Sequence, residues 1–393
     1  MSERKLRIGF IPLADATALI VAVDKGFTKA EGLDVELVRE VSWSNVRDKL
    51  NIGLFDAAHL LAPVAIASSL GLGHVKVPII TAFGLGLNGN AITVSPALYA
   101  AIKDQADGDI TDPMVTARAL SRVVAIRKAK GEDPLTFGMT FPFSTHNYQL
   151  RFWMAAGGVD PDQDIRLVVL PPPYMVESLA SKHVDAFCVG APWNSVAVDL
   201  GIGHILHFVS EILQRAAEKV LAVRSRWADE NPDAFRHLVL AHGKAAAFVE
   251  DEKNRDEVAA ILAAPARLGV AAEVIKRTLN GRLKVSLDGT FRSSDRYLLI
   301  GRAQAARPDP VQAAWLYAQM VRWGQVLMSA ESLAEAKATF RPDLYDSILG
   351  PSLGSSAALP AGEPADRVGA FTGPAFDPDH IAAHLDGWKI RRR

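Results

Sequence analysis

Leu6-Arg7-Ile8-Gly9-Phe10-Ile11-Pro12 is the stretch on which the fold turns. Its apolar, β-rich character reads as a buried first strand, and Thr17 to Gly26 follows as a helix stopped by a glycine. Leu33 to Val38 then sets Leu33, Val35 and Leu37 against charged neighbours, the two-residue period of a second strand. Ser44 is placed to cap a helix whose body is Arg47 to Ile52, and Asp56 to Leu61 reads as a further short buried element. Strand, helix, strand, helix in succession predicts a parallel sheet with helices on its faces, an α/β fold.

Outward from this start the pattern continues. Val77 to Phe83 and Ala91 to Val94 are strand candidates, separated by Gly84-Leu85-Gly86-Leu87-Asn88-Gly89-Asn90, which reads as a glycine-rich turn. A second α/β unit follows. It takes in a helix over Met114 to Lys130, a strand over Leu135 to Met139, a helix over Ser144 to Ala156 and a strand over Arg166 to Leu170. A helix over Met175 to Lys182 and a buried strand over Ala186 to Val189 complete it. Beyond about residue 225 the pattern turns helical, most clearly over Asp233 to Glu250 and Pro310 to Ser329, and Gly350 to Pro378 is expected to be irregular. A chain of 393 residues exceeds one compact core, so two lobes are expected.

Composition narrows the function classes. The 43 basic and 44 acidic residues nearly cancel, so no overall field draws the chain to nucleic acid or lipid. Arg391, Arg392 and Arg393 are expected to be a frayed, solvated tail. No run approaches 18 apolar residues, and the apolar stretch after Arg4, Lys5 and Arg7 is broken at Asp15, too short for a secretory signal. The single cysteine, Cys188, excludes an internal disulfide and fits a reducing compartment, so a cytoplasmic protein is expected. Catalytic motifs are missing: there is no Gly-x-Ser-x-Gly elbow, no His-Glu-x-x-His and no Cys/His set, and Cys188 lies in an apolar strand as packing. The glycines at 84, 86 and 89 match part of the dinucleotide fingerprint spacing, but a strand follows them instead of a helix. No enzyme, metal or cofactor is expected.

Four residues stand out as polar or aromatic groups at the edges of apolar elements: Trp43 ahead of a helix, Asn90 after the glycine turn, His146 at a helix start and Lys219 entering an apolar strand. Strand ends and helix starts are where open α/β sheets bind ligands, because unpaired N–H groups and the helix dipole favour an anion.

Ile8-Gly9-Phe10-Ile11-Pro12-Leu13-Ala14-Asp15, Ser42-Trp43 with Arg47-Asp48-Lys49-Leu50, and Asp56 through Pro63 resemble the NrtA/NasS family of nitrate/nitrite-binding proteins. So do Leu87 through Ser95, Ser144 through Trp153, Val189 through Asn194 and Gln319 through Gly324, which carries the resemblance over nearly the whole chain. The resemblance implies a type II periplasmic-binding-protein-like fold, with two α/β lobes around an interlobe ligand cleft. We divide these as 1–94 with 222–393 (lobe I) and 95–221 (lobe II). It implies that nitrate or nitrite contacts Trp43, His146 and Lys219, and Asn90 where the transport proteins carry a glutamine. Bicarbonate-binding relatives differ at the lysine, using acidic residues and calcium, so Lys219 points to the nitrate branch.

With no export signal read, and with Ala191 where exported relatives typically carry glutamate, the resemblance is greatest to the cytoplasmic sensor NasS. That implies release of a NasT-like RNA-binding antiterminator when the anion arrives, with no direct contact to nucleic acid or membrane. The alternative is the substrate-binding component of an ABC-type nitrate importer. An enzyme of the same fold, a thiamine-precursor synthase, would need an active-site His and a cysteine-rich segment, and Cys188 is the single cysteine here. A buried, unpartnered Lys219 would make ligand arrival the event that closes the lobes.

Overall fold

The computed structural model describes residues 5–353 and 368–392. The first strands are β1 (Leu6–Phe10), β2 (Val35–Arg39), β3 (Ala57–Leu61), β4 (Ile79–Ile80) and β5 (Gly84–Asn88). They are followed by β6 (Asn90–Val94), β7 (Thr136–Met139), β8 (Arg166–Val169), β9 (Ala186–Gly190) and β10 (His204–Phe208). The last are β11 (Ala217–Arg224), β12 (Arg282–Lys284), β13 (Phe291–Ser293) and β14 (Leu298–Leu299). One sheet runs β14-β5-β11-β3-β1-β2, with β4 also on β11; the second runs β10-β6-β9-β7-β8.

The expected parallel core is present, since β1 pairs in parallel with β2 and β3, and β7 with β8 and β9. To each core the chain adds antiparallel strands: β11 and β5 on the first sheet, β6 and β10 on the second. Those four are the strands that carry the chain between lobes. Gly84–Asn88 is therefore strand and not the turn expected from its glycines. A side chain at Gly84 would strike the Ala305 carbonyl oxygen at 2.6 Å, so the glycine serves close packing.

Only Asn88 and Gly89 turn, with φ of 61° and 85°. The first crossing is at Gly89 and the second lies between Phe208 and Ala217, so the expected boundaries at 94/95 and 221/222 are displaced. Asn90–Val94 belongs to the second sheet, and Ala217–Leu221 to the first. The Asn88 side chain ties the two crossings together, its Nδ2 donating to the Gln214 and Arg296 carbonyls and its Oδ1 accepting from Ala216 N, all at 2.9 Å.

The assignment of 222–393 to lobe I also needs correction. The β12–β13 hairpin meets the second sheet, where Ile205 N donates to the Val285 carbonyl at 2.9 Å and Arg292 pairs with Glu211 at 2.6 Å. The C-terminal segment lies against the helix Thr145–Ala156 of the second lobe, Phe152 meeting Trp388 at 4.9 Å between ring centroids. Arg392 is no frayed residue, because it pairs with Asp160 and Asp162. Arg393, and the part of the expected irregular tail between residues 353 and 368, lie outside the described residues. Among the described residues no helix is long and apolar enough to cross a membrane.

Candidate functional site

The four residues singled out in the sequence meet at the junction of the sheets. Trp43 is the first residue of the helix Trp43–Asn51; its cap is Ser42, whose Oγ accepts from Asn45 N at 3.3 Å, and not the expected Ser44. His146 lies in the first turn of the helix Thr145–Ala156, whose cap Ser144 accepts from Asn147 N at 3.1 Å. Asn90 opens β6 immediately past the crossing at Gly89. Lys219 enters on β11, held between Leu61 of β3 and Gly86 of β5. Its Nζ stands 5.3 Å from the centre of the Trp43 ring.

The Lys219 ammonium is not awaiting a counter-ion, which corrects the expectation of an unpartnered cation. Its Nζ is 2.8 Å from Asp15 Oδ2 and 2.9 Å from Glu218 Oε1. Neighbours on a strand normally face opposite sides, but the pairing of β11 with β5 slips at Ala217/Lys219 and again at Lys219/Val220. That irregularity lets Glu218 and Lys219 both turn into the cluster. Asp15, in the short 3-10 helix Ala14–Ala16 after β1, also accepts from His59 Nε2 at 2.8 Å, and His59 Nδ1 accepts from Ile11 N at 3.4 Å, which fixes the His59 tautomer.

Glu218 reaches most of the predicted residues. Its Oε1 lies 3.2 Å from His146 Nδ1 as well as against Lys219, and its Oε2 accepts from Asn90 Nδ2 at 2.7 Å. Asn90 Nδ2 also donates to Gln149 Oε1 at 3.2 Å, and Thr140 Oγ1 is 3.1 Å from His146 Nδ1. Asp15, Trp43, His59, Asn90, His146, Gln149, Glu218 and Lys219 are each at most 2% exposed.

This burial sets the protonation states. Burial alone would raise the Asp15 carboxyl, but the Lys219 charge and the His59 hydrogen bond hold it below the usual range. Burial would lower Lys219, and the two carboxylates outweigh it and raise its pKa, so it stays an ammonium. Glu218 goes the other way: burial raises it, against the pull of Lys219. His146 is lowered well below its usual value by burial and by the Lys219 charge, and His59 is lowered by burial, so both imidazoles are neutral. With both carboxylates ionised, the enclosed cluster holds two negative charges against one positive.

Four of its polar atoms have no hydrogen-bond partner: Trp43 Nε1, His146 Nε2, Gln149 Nε2 and Asn90 Oδ1. Buried unpaired groups of this kind are costly: Trp43 Nε1 and Gln149 Nε2 donate, Asn90 Oδ1 accepts, and His146 Nε2 does either according to its tautomer, a set suited to a small molecule rich in acceptors. The cluster is shut in on all sides, closed off from solvent by the elements that carry it. Among the described residues no group of three or more His, Cys, Asp or Glu side chains is arranged to hold a metal ion. Cys188 is fully buried in β9 and burial pushes its thiol well up.

Asp15, His59, Gln149 and Glu218 were missed in the sequence. Their signal is a single polar residue inside an apolar run, as in Ala57-Ala58-His59-Leu60-Leu61, and Gln149 stands one turn from His146 on the same helix face.

Comparison with known proteins shows the family and the fold. Residues 1–263 match the NMT1-like family. The nitrate/nitrite binding protein NrtA of Synechococcus elongatus is 32% identical over 98% of this chain and 86% of its own length. The bicarbonate-binding protein CmpA of the same species is 28% identical over 100% of this chain and 88% of its own. The crystal structure of the periplasmic nitrate-binding protein NrtA from Synechocystis PCC 6803 has a TM-score of 0.88 at 28% identity, covering 98% of each chain. With its periplasmic-binding-protein-like α/β fold, this chain belongs to the NMT1-like family and, within it, to the family of the NrtA proteins.

Proposed function

We propose that this chain binds nitrate or nitrite between its lobes and serves as the substrate-binding component of an ABC-type importer. The observation that carries the reading is the meeting of Trp43, Asn90, His146 and Lys219 in one enclosed cluster that keeps unpaired donors. Nitrate is a small planar monoanion with three acceptor oxygens. Trp43 Nε1–H and the Gln149 amide offer it hydrogen bonds, and Lys219 offers charge. A two-lobed molecule that shuts on its ligand is the device by which import binding proteins capture cargo. In this reading the chain transforms nothing: the cluster holds no activated nucleophile, and the buried Cys188 thiol is inert.

A sensor working in the cytoplasm, from which the anion frees a NasT-like antiterminator, would use the same pocket and the same closure. It rests on the sequence features alone, Ala191 among them, and the similar proteins favour import. Titration calorimetry with nitrate, nitrite, hydrogencarbonate and sulfate, on the wild type and on Lys219→Met, tests the site. Nitrate or nitrite should bind the wild type, and Lys219→Met should lose that binding; undiminished binding by the variant would remove Lys219 from the site. Capture of a NasT-like antiterminator with and without nitrate separates the two roles, since only a sensor forms a complex that saturating nitrate dissolves.

A further inference from the structure

We propose that Glu218 takes up one proton whenever an oxyanion without a proton of its own binds, and that this makes Glu218 the residue that sorts ligands. The inference rests on the anion-binding reading above. A carboxylate is itself a planar oxyanion, and Glu218 already occupies the donors on which an incoming anion would depend. Oε1 is 2.9 Å from Lys219 Nζ and 3.2 Å from His146 Nδ1, and Oε2 is 2.7 Å from Asn90 Nδ2. Three of the four proposed ligand contacts are thus engaged by a group the chain supplies.

The groups facing Glu218 leave it little help. Lys219 beside it on β11 is shared with Asp15 from the 3-10 helix Ala14–Ala16, His59 of β3 bonds to Asp15, and His146 on the helix Thr145–Ala156 is neutral. Cys188 on β9 and Tyr297 ahead of β14 are uncharged, each raised by burial. A monoanion entering beside ionised Glu218 would put three negative charges against one positive in a water-free enclosure. A proton from solvent removes one of the three. Burial already raises the Glu218 pKa, so that proton goes to Glu218 before it goes to Asp15, which is held low.

Protonation also reverses His146. Ionised Glu218, 3.2 Å from Nδ1, favours the tautomer whose proton sits on Nδ1, where Thr140 Oγ1 at 3.1 Å also accepts it, and leaves Nε2 a bare acceptor. Once Glu218 is protonated, its O–H donates to Nδ1, the imidazole proton sits on Nε2, and the unpartnered Nε2 becomes a donor. One proton and one anion enter together and leave together, with no other bond made or broken. Hydrogencarbonate differs, because its own O–H can donate to ionised Glu218. The charged form of Glu218 therefore favours a protic oxyanion, and the neutral form favours nitrate or nitrite.

Calorimetry of nitrate with the whole chain, in buffers of different ionisation enthalpy between about pH 6 and pH 8, reads the proton directly. We expect one proton taken up per nitrate and a Kd that weakens about tenfold per pH unit. Glu218→Gln should take up none and bind nitrate with a Kd independent of pH, at least about tenfold tighter than wild type at pH 8. Nitrate binding to the wild type with no net proton uptake overturns the inference and leaves the anion-binding reading intact. The same uptake persisting in Glu218→Gln overturns it too, because the proton then goes elsewhere. Should that variant not fold, the wild-type proton count decides alone. Failure of every anion to bind the wild type would instead sink the reading beneath it.

Discussion

Lys219 and Arg322 are the two most deeply buried cations among the described residues, and they are held in opposite ways. Lys219, between the lobes, has carboxylates at 2.8 and 2.9 Å. Arg322, on the helix Pro310–Arg322, faces no carboxylate among the described residues; it lies 4.4 Å from the centre of the Trp388 ring, 4.8 Å from Trp323 and 5.5 Å from Phe152. Its Nε donates to the Ile390 carbonyl at 3.2 Å, and burial brings its pKa down to about 9. The first arrangement is polar and can be redrawn by one proton or one anion. The second is a cation set among aromatic faces, with nothing to exchange. It fastens the C-terminal segment to the second lobe. The difference separates a site from a rivet, although both residues are about 1% exposed.

The sharpest way to break this comparison is to remove each charge while keeping its bulk. Lys219→Met leaves Asp15 and Glu218 facing each other without a cation, and removing one partner from such a buried set costs about 3–5 kcal/mol. Chemical denaturation should show a loss of that size at neutral pH, shrinking in acid as Glu218 protonates. Arg322→Met should cost within about 1 kcal/mol and leave anion affinity unchanged, since an unpaired buried charge gives way to a side chain that still fills the ring-lined space. Arg322→Ala is the control. Loss of the stem opens a void among three rings and should cost about 2–4 kcal/mol. Equal losses for the two methionine variants would erase the distinction.

How much of this could be read from the residues follows the same division. The β1 to β3 succession was legible because buried parallel strands and their helices carry strong periodic patterns. Trp43, Asn90, His146 and Lys219 were legible as polar or aromatic groups at element edges, helped by family resemblance. Glu218 was not: strand alternation turns it away from Lys219, and only the slipped pairing with β5 brings both inward. Asp15 was read as the end of an apolar run when it is the partner of a cation 204 positions along the chain, a distance no local pattern spans. The glycines of β5 were read as a turn because their reason, the backbone of Ala305 and Ala306 pressing on Gly84, comes from a distant segment. The lobe boundaries failed for a related reason, since the crossing strands look alike whichever sheet they join.

A smaller effect sharpens the account of the polar site. Glu218 has its folded pKa raised above 4.5, so its ionised form weakens the fold at neutral pH, and that stability returns as pH falls through the folded value towards 4.5. Asp15 has the opposite sign: held below 3.8, it contributes stability that is present above 3.8 and lost as acid titrates it. His59 and His146, lowered below 6.5, contribute stability present above 6.5 and lost progressively below it. The difference between Glu218→Gln and wild type cancels what the two forms share. The variant should melt higher than wild type at pH 8, and the gap should close as pH approaches about 4.5. A variant less stable than wild type at pH 8 would mean that ionised Glu218 holds the closed lobes together.

The smallest effect belongs to the far end of the rivet. Arg392 pairs with Asp160 at 2.5 Å and with Asp162, and these carboxylates hold its pKa above the usual arginine value. Its side chain is 27% exposed, and Asp162, at 38%, is open to water and salt. Pairs of this kind contribute about 0–1 kcal/mol, because water solvates the separated charges nearly as well. Arg392→Ala should therefore lower stability by less than about 1 kcal/mol, with the loss fading as salt rises. Anion affinity should not change. A large loss, or a change in nitrate Kd, would show that this contact restrains the lobes and that the C-terminal segment takes part in their closure.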